Sequence, residues 1–234
     1  MPPANDLFLR INAFAADTPW LHGPAAAYAT YGILVSVALM VAGWWVARRR
    51  DARTMATALL VPVAALAAFA VQQVVVLLVD EARPYAVHPD ALVLIGRTSD
   101  PSFPSDHACL TGAIAAALFL VDRRLGWTAT VVALLMAATR VYVGAHWPLD
   151  VVAGLALGAA VAIAVVLLLR RPVTRLVERL RSTAVAPLLV TSASRAPSRL
   201  SRGAVRFRTP SPARAPAARS SRCGSGRRRP ADDA

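Results

Sequence analysis

The chain has 234 residues, 56% of them hydrophobic and 17% charged, with a formal net charge of +13. A soluble domain of this size carries about 25% charged residues, so the composition excludes an ordinary soluble enzyme and fits an integral membrane protein of one domain, with or without a tail. Every basic residue is arginine, a side chain suited to planar phosphate binding, although the alanine richness makes compositional bias of the gene the simpler cause.

In chain order, the first predicted element is a short helix in "NDLFLRINAFAADTPW", where Leu7, Phe8, Ile11 and Phe14 recur at helical spacing with Asp6 and Arg10 between them. It reads as an interfacial segment within residues 1–24. No basic start is followed at once by an apolar core, so a cleaved signal peptide is not expected. Five apolar stretches follow, at 25–46, 55–79, 108–121, 125–142 and 151–169. A membrane helix needs about 17 to 25 residues, and the third stretch is short for that unless the motif before it is partly sunk in the membrane. The expected fold is therefore an all-α, polytopic membrane helix bundle of about five transmembrane helices over residues 25–181. From residue 182 to 234 the composition turns to Ser, Pro, Ala and Arg, and eleven arginines against Asp232 and Asp233 leave +9 of the total charge there. This segment has little to bury and reads as a disordered basic tail. The two cysteines, Cys109 in an apolar stretch and Cys223 in the tail, imply no disulfide framework.

Short cytoplasmic loops are enriched in arginine. Arg48, Arg49, Arg50 and Arg53 separate spans one and two, Arg123 and Arg124 separate three and four, and Arg170 and Arg171 follow five. With five alternating spans all three groups fall on one side, which is expected to be cytoplasmic along with the tail. A cytoplasmic basic tail would be drawn to anionic lipid at about 1 kcal/mol per residue. The plainer expectation is a solvated segment without a dedicated partner, and no nucleic-acid partner is expected.

Polar and charged residues at membrane helix ends are costly and so become functional candidates. Three clusters share the outward side: "DEARPYAVHPD" after span two, "SFPSDHA" before span three, and "TRVYVGAHWPLD" between spans four and five. In the third, His146 and Asp150 are four apart and can meet on a helical turn. A carboxylate on one imidazole nitrogen fixes the tautomer and frees the other nitrogen to attack. Arg140 offers a fork of donors for phosphate oxygens. In the second cluster Ser105 or Asp106 can cap the following helix, whose free N–H groups favour an anion, and His107 is a candidate proton donor. The first contributes Arg83, followed by Pro84. Taken singly, each cluster also reads as helix capping or an interfacial arginine. His88 and Asp90 lie in the outward loop, Tyr142 and Trp147 flank the site at interface depth, and Gln72 and Gln73 suit interhelical hydrogen bonding. Gly154 and Gly158 suit close packing within the monomer.

Together the clusters resemble the type 2 phosphatidic acid phosphatase superfamily, and most of all its small bacterial branch of undecaprenyl-pyrophosphate phosphatases of the bacitracin-resistance type. The residues that carry the resemblance are Arg83-Pro84, the Pro-Ser-Asp-His run ending at His107, and Thr139-Arg140 followed by His146 and Asp150. The resemblance implies a membrane lipid phosphatase that works through a phosphohistidine, with no metal or other cofactor. It implies that His146 attacks phosphorus, Asp150 orients it, Arg83, Arg140, Ser105 and Asp106 surround the phosphate, and His107 protonates the leaving oxygen. The implied partners are a lipid phosphate or pyrophosphate substrate and the membrane, with the active site extracytoplasmic. Two positions depart from the family pattern. Val76 stands where the first motif usually begins with Lys, which makes Arg97 in the outward loop a possible additional phosphate ligand. Thr139 replaces the usual Ser and keeps a hydroxyl. The same site on another lipid phosphate, such as phosphatidylglycerol phosphate, phosphatidate or a phosphorylated prenyl-sugar, is the alternative, as is a catalytically silent membrane anchor with a basic tail.

Overall fold

The computed structural model describes residues 3–183 and 186–190, and its regular structure there is helical throughout. The helices in chain order are α1 (Pro3–Ala16), α2 (His22–Tyr31), α3 (Ile33–Ala47), α4 (Ala52–Leu78), α5 (Pro84–Val87), α6 (Asp106–Phe119), α7 (Arg123–Tyr142), α8 (Pro148–Leu180) and α9 (Ala186–Leu189). Three of them, α4, α7 and α8, are long and apolar enough to cross a membrane. A fourth span is the pair α2–α3, bent by 51° at its break, where Gly32 separates the two helices and packs against the Tyr28 carbonyl. The fifth predicted span is α6. Its 14 residues reach about 21 Å at 1.5 Å per residue, short of a hydrocarbon core of about 30 Å.

The bundle is inside out relative to a soluble protein. Leu77, Leu168, Trp20 and Leu66 are among its most exposed side chains, while the interior is built largely from Ala and Gly. Small residues let membrane helices approach closely, because lipid gives no hydrophobic drive between them. The tightest seam joins α6 to α8. A Cβ on Gly158 would lie 2.0 Å from the Cys109 carbonyl oxygen, one on Gly154 would lie 2.6 Å from that of Ser105, and one on Gly112 would lie 2.7 Å from that of Leu155. The small pair in span five is thus used within the monomer, and it draws the N-terminus of α6 against that of α8.

At the end of the bundle where α4 begins, Asp51 caps α4 by accepting from Thr54 N–H at 2.7 Å. Asp122 caps α7 through Arg124 N–H and Leu125 N–H, and each cap contributes about 1 kcal/mol. Arg50 joins these termini by an ion pair with Asp122 at 2.5 Å, and Arg181 donates to the Arg50 carbonyl. Helix α8 outruns the apolar stretch that predicts it because Val173, Val177 and Leu180 keep packing on the core at helical spacing. Beyond it, Ala186, Leu189 and Val190 are buried, and Trp44 and Arg48 of the α3 end donate to the carbonyls of Leu188 and Pro187. The short run of apolar residues there gives the start of the basic segment something to bury. From residue 191 on, the expected tail lies outside the described residues.

Helix α1 lies along α7 and α8. Phe8 is fully buried, edge-on to Trp147 with ring centres 5.1 Å apart. Asn12 exchanges two hydrogen bonds with the backbone of Leu92. The helix thereby holds the long loop between α4 and α6 against the turn that carries His146.

Candidate active site

The loop after α4, the N-terminus of α6 and the turn between α7 and α8 meet at the opposite end of the bundle from Arg50 and Asp122. Arg83 stitches two of them together. Its Nε donates to the Asp100 carbonyl at 2.9 Å, its Nη2 to Asp100 Oδ2 at 2.6 Å, and its Nη1 to the Ala145 carbonyl at 3.1 Å. The Asp100 carboxyl is partly buried, which opposes ionisation, but hydrogen bonds from Thr98 and its own backbone, with the Arg83 charge, hold it below the ordinary carboxylate range.

The α6 terminus is fixed from two sides. Gln72 of α4 donates to the Pro104 carbonyl at 3.0 Å, and Ser105 N–H donates to the Asp150 carbonyl at 3.1 Å. Ser105 is the N-cap residue, yet its hydroxyl makes no capping bond; it is buried and has no partner in the protein. Asp106 accepts from His107 N–H at 2.8 Å and from the same residue's Nδ1 at 2.9 Å. His107 and Asp106 keep 24% and 39% of their side chains exposed, so this pair sits at the solvent-facing edge of the site.

The turn owes its shape to Gly144, whose φ of +79° is a left-handed conformation that strains any residue with a Cβ. A Cβ there would also lie 2.5 Å from the Leu92 carbonyl oxygen. The turn places His146 almost fully out of solvent. Its Nδ1 lies 2.9 Å from the Ser102 carbonyl oxygen, which only accepts, so Nδ1 carries the proton. Nε2 is then the lone-pair nitrogen, and Arg140 Nη2 donates to it at 3.2 Å. Asp150 Oδ2 is 3.5 Å from Nδ1 and accepts from Ser102 Oγ and from Trp147 N–H at 2.9 Å. The expected His146–Asp150 pair is present, with Ser102 interposed: its carbonyl holds the imidazole while its hydroxyl holds the carboxylate. Burial first, then the Arg140 and Arg83 charges, outweigh Asp150 and push His146 below the ordinary imidazole value. A neutral imidazole with an unprotonated nitrogen facing a guanidinium is the state a nucleophile needs.

His146, Asp150, Arg140, Arg83, Ser105 and His107 thus belong to one cluster. Arg140 Nε and Ser105 Oγ are buried donors without a protein partner, which suits an anion with several acceptor oxygens. Arg97 is exposed and lies over the Tyr85 ring, 5.5 Å from its centre. Val76 is half-buried near the end of α4, and the Thr139 hydroxyl is turned back to the Leu135 carbonyl at 2.7 Å. Tyr142 bonds Thr18, Trp147 bonds the Ala82 carbonyl, and His88 bonds Asn5, so all three tie the surrounding segments together. Ser102 was not singled out from the sequence. The one available signal was a second hydroxyl in the "SFPSDHA" cluster, and its partners lie 44 and 48 residues away.

Beside the turn, an apolar cavity of about 750 Å³ opens between α1, α2, α7 and α8. Thr139 and Val151, next in sequence to Arg140 and Asp150, line it together with Pro148, Phe14 and Tyr28.

Comparisons with known proteins agree with this geometry. Residues 56–173 match the PAP2 superfamily. The chain is 30% identical over 162 residues to the bacitracin transport permease protein BcrC of Bacillus licheniformis, covering 68% of this chain and 76% of that one. It is 30% identical over 122 residues to the undecaprenyl-diphosphatase BcrC of Bacillus subtilis (strain 168), covering 52% and 62%. The crystal structure of a transmembrane PAP2-type phosphatidylglycerolphosphate phosphatase from Bacillus subtilis shares the fold, with a TM-score of 0.51 at 21% identity over 70% of this chain and 85% of that one. With the match spanning α4, α6, α7 and α8 and the whole histidine cluster, the chain belongs to the PAP2 superfamily and is a multi-pass membrane lipid phosphatase.

Proposed function

We propose that the chain dephosphorylates a polyprenyl pyrophosphate of the undecaprenyl type through a phosphohistidine at His146. The observation that carries this reading is the buried, neutral His146, whose Nε2 faces Arg140 beside the unpartnered donors Arg140 Nε and Ser105 Oγ. In the first step Nε2 forms a bond to the terminal phosphorus as the bond to the leaving oxygen breaks. His107 gives that oxygen its proton. Arg83, Arg140 and Ser105, with the N–H groups that open α6, spread over the phosphoryl oxygens, while Asp106 holds His107. Nδ1 keeps its proton, donated to the Ser102 carbonyl, and Asp150 offsets the positive charge gathering on the ring. Water then attacks phosphorus, returns a proton to His107 and releases phosphate and free His146. Positioning and charge stabilisation supply most of the acceleration in such transfers.

The undecaprenyl assignment draws on the name of the Bacillus subtilis relative, and the apolar cavity next to the turn would suit the hydrocarbon chain. The arginines at the α3–α4 and α6–α7 connections, with Arg170 and Arg171 in the far part of α8, favour an extracytoplasmic active site and a cytoplasmic basic segment near anionic lipid. The test is a phosphate-release panel with the purified full chain. It should include a polyprenyl pyrophosphate, a polyprenyl monophosphate and phosphatidylglycerol phosphate. Fastest release from the pyrophosphate, abolished in His146→Ala, is expected. A preference for phosphatidylglycerol phosphate would move the substrate and keep the chemistry.

A further inference from the structure

The two carboxylate oxygens of Asp150 differ in their surroundings. Oδ2 accepts from Ser102 Oγ and Trp147 N–H, whereas Oδ1 is buried and meets no N–H or hydroxyl donor. An unsatisfied buried acceptor is costly, and here it adjoins the residue that holds the nucleophile. The Glu81 carboxyl comes within hydrogen-bonding reach of the Asp150 carboxyl. Glu81 lies in the loop after α4, and its carbonyl accepts from Ser102 N–H at 2.8 Å, so its backbone is already tied to the same network.

Two carboxylates in contact do not both ionise readily, and one proton held between them supplies the missing donor. We propose that Glu81 is a positioning residue, whose protonated carboxyl donates to Asp150 Oδ1 and keeps Asp150 seated on Ser102 and Trp147. The role rests on His146 being the nucleophile. Partial burial, the Asp150 charge and the hydrogen bond between them all push Glu81 above its ordinary value. Of the other charged groups nearby, Arg83 is committed to Asp100 and Ala145, Arg140 to His146, and Asp106 to His107. Asp150 on α8 is therefore the charge that governs Glu81. Its raised value means the proton is held to a higher pH than on a free glutamate and is lost as pH rises. Two negative charges then face each other, Asp150 shifts, and turnover falls.

The experiment compares wild type, Glu81→Gln, Glu81→Ala and His146→Ala as full chains in detergent, using para-nitrophenyl phosphate and kcat and KM across pH. Glu81→Gln keeps a donor that does not titrate. It should hold kcat within about threefold of wild type and lose the alkaline fall, whereas Glu81→Ala should lower kcat about tenfold with little change in KM. Infrared difference spectra of wild type against Glu81→Gln, taken on the acid side of the alkaline fall, should show the C=O stretch of a protonated carboxyl. An alkaline fall unchanged in Glu81→Gln, or the absence of that band, would overturn the shared proton. Full turnover by His146→Ala would overturn the nucleophile assignment instead, a result on which the band does not depend.

Discussion

The two histidines of the site sit in opposite surroundings. His146 is buried in a turn, its ring fixed at both nitrogens by Ser102 and Arg140, and burial holds it neutral. His107 stands at the helix edge, a quarter exposed and paired to the half-open Asp106. A nucleophile gains from a fixed lone pair in a dry place. A group that gives a proton to a leaving oxygen and takes one from water gains from access to solvent. Burial therefore supports the proposed division, with His146 as nucleophile and His107 as proton donor.

The largest expected effect on that division comes from His107→Asn. If His107 serves only the leaving oxygen and the attacking water, the loss should depend on the leaving group. Turnover of an alkyl phosphate should fall about 10²- to 10⁴-fold, and the initial burst with an aryl phosphate should fall far less. Equal losses on both substrates would remove the proton-donor role. Next in size is Ser102→Ala, which strips Asp150 Oδ2 of its hydroxyl donor while leaving the Ser102 carbonyl on His146. A drop in kcat of about tenfold with KM nearly unchanged is expected.

The pH profile of kcat/KM sharpens the same contrast. His146 must be neutral to attack, so activity should rise with pH through a value below the ordinary imidazole value of about 6.5. The Asp150 hydrogen bond pulls His146 upward against burial and the arginines, so Asp150→Asn should move that acid limb still lower while reducing kcat. A limb that moves up instead would contradict the balance. The smallest effect is expected from Arg97→Ala. Its exposed guanidinium lies over Tyr85, and a change in KM of less than about twofold would leave the Val76 position without a substitute cation.

Much of this was legible from the chain. Helices α4, α7 and α8 followed from apolar runs of membrane length, because that signal is local in sequence. His146 and Asp150 were readable since four residues make one turn, and the three clusters pointed to one end of the bundle once the spans were counted. Ser102, Gln72 and Glu81 were not assigned to the site, since each acts through a contact made only when α4, α6 and α8 close. That closure depends on Gly112, Gly154 and Gly158, whose meaning as a seam is visible but whose partner is not. The bend at Gly32 and the extra turns of α8 were likewise set by packing rather than by hydropathy.

The most direct measurement is to trap the phosphorylated enzyme. Wild type and His107→Asn would be mixed with an aryl phosphate, quenched at alkaline pH where a phosphohistidine survives, and sequenced by mass spectrometry. A single phosphoryl group on His146, more abundant in His107→Asn and absent from His146→Asn, is the expected result. Label on His107, or turnover by His146→Asn at the wild-type rate, would contradict it.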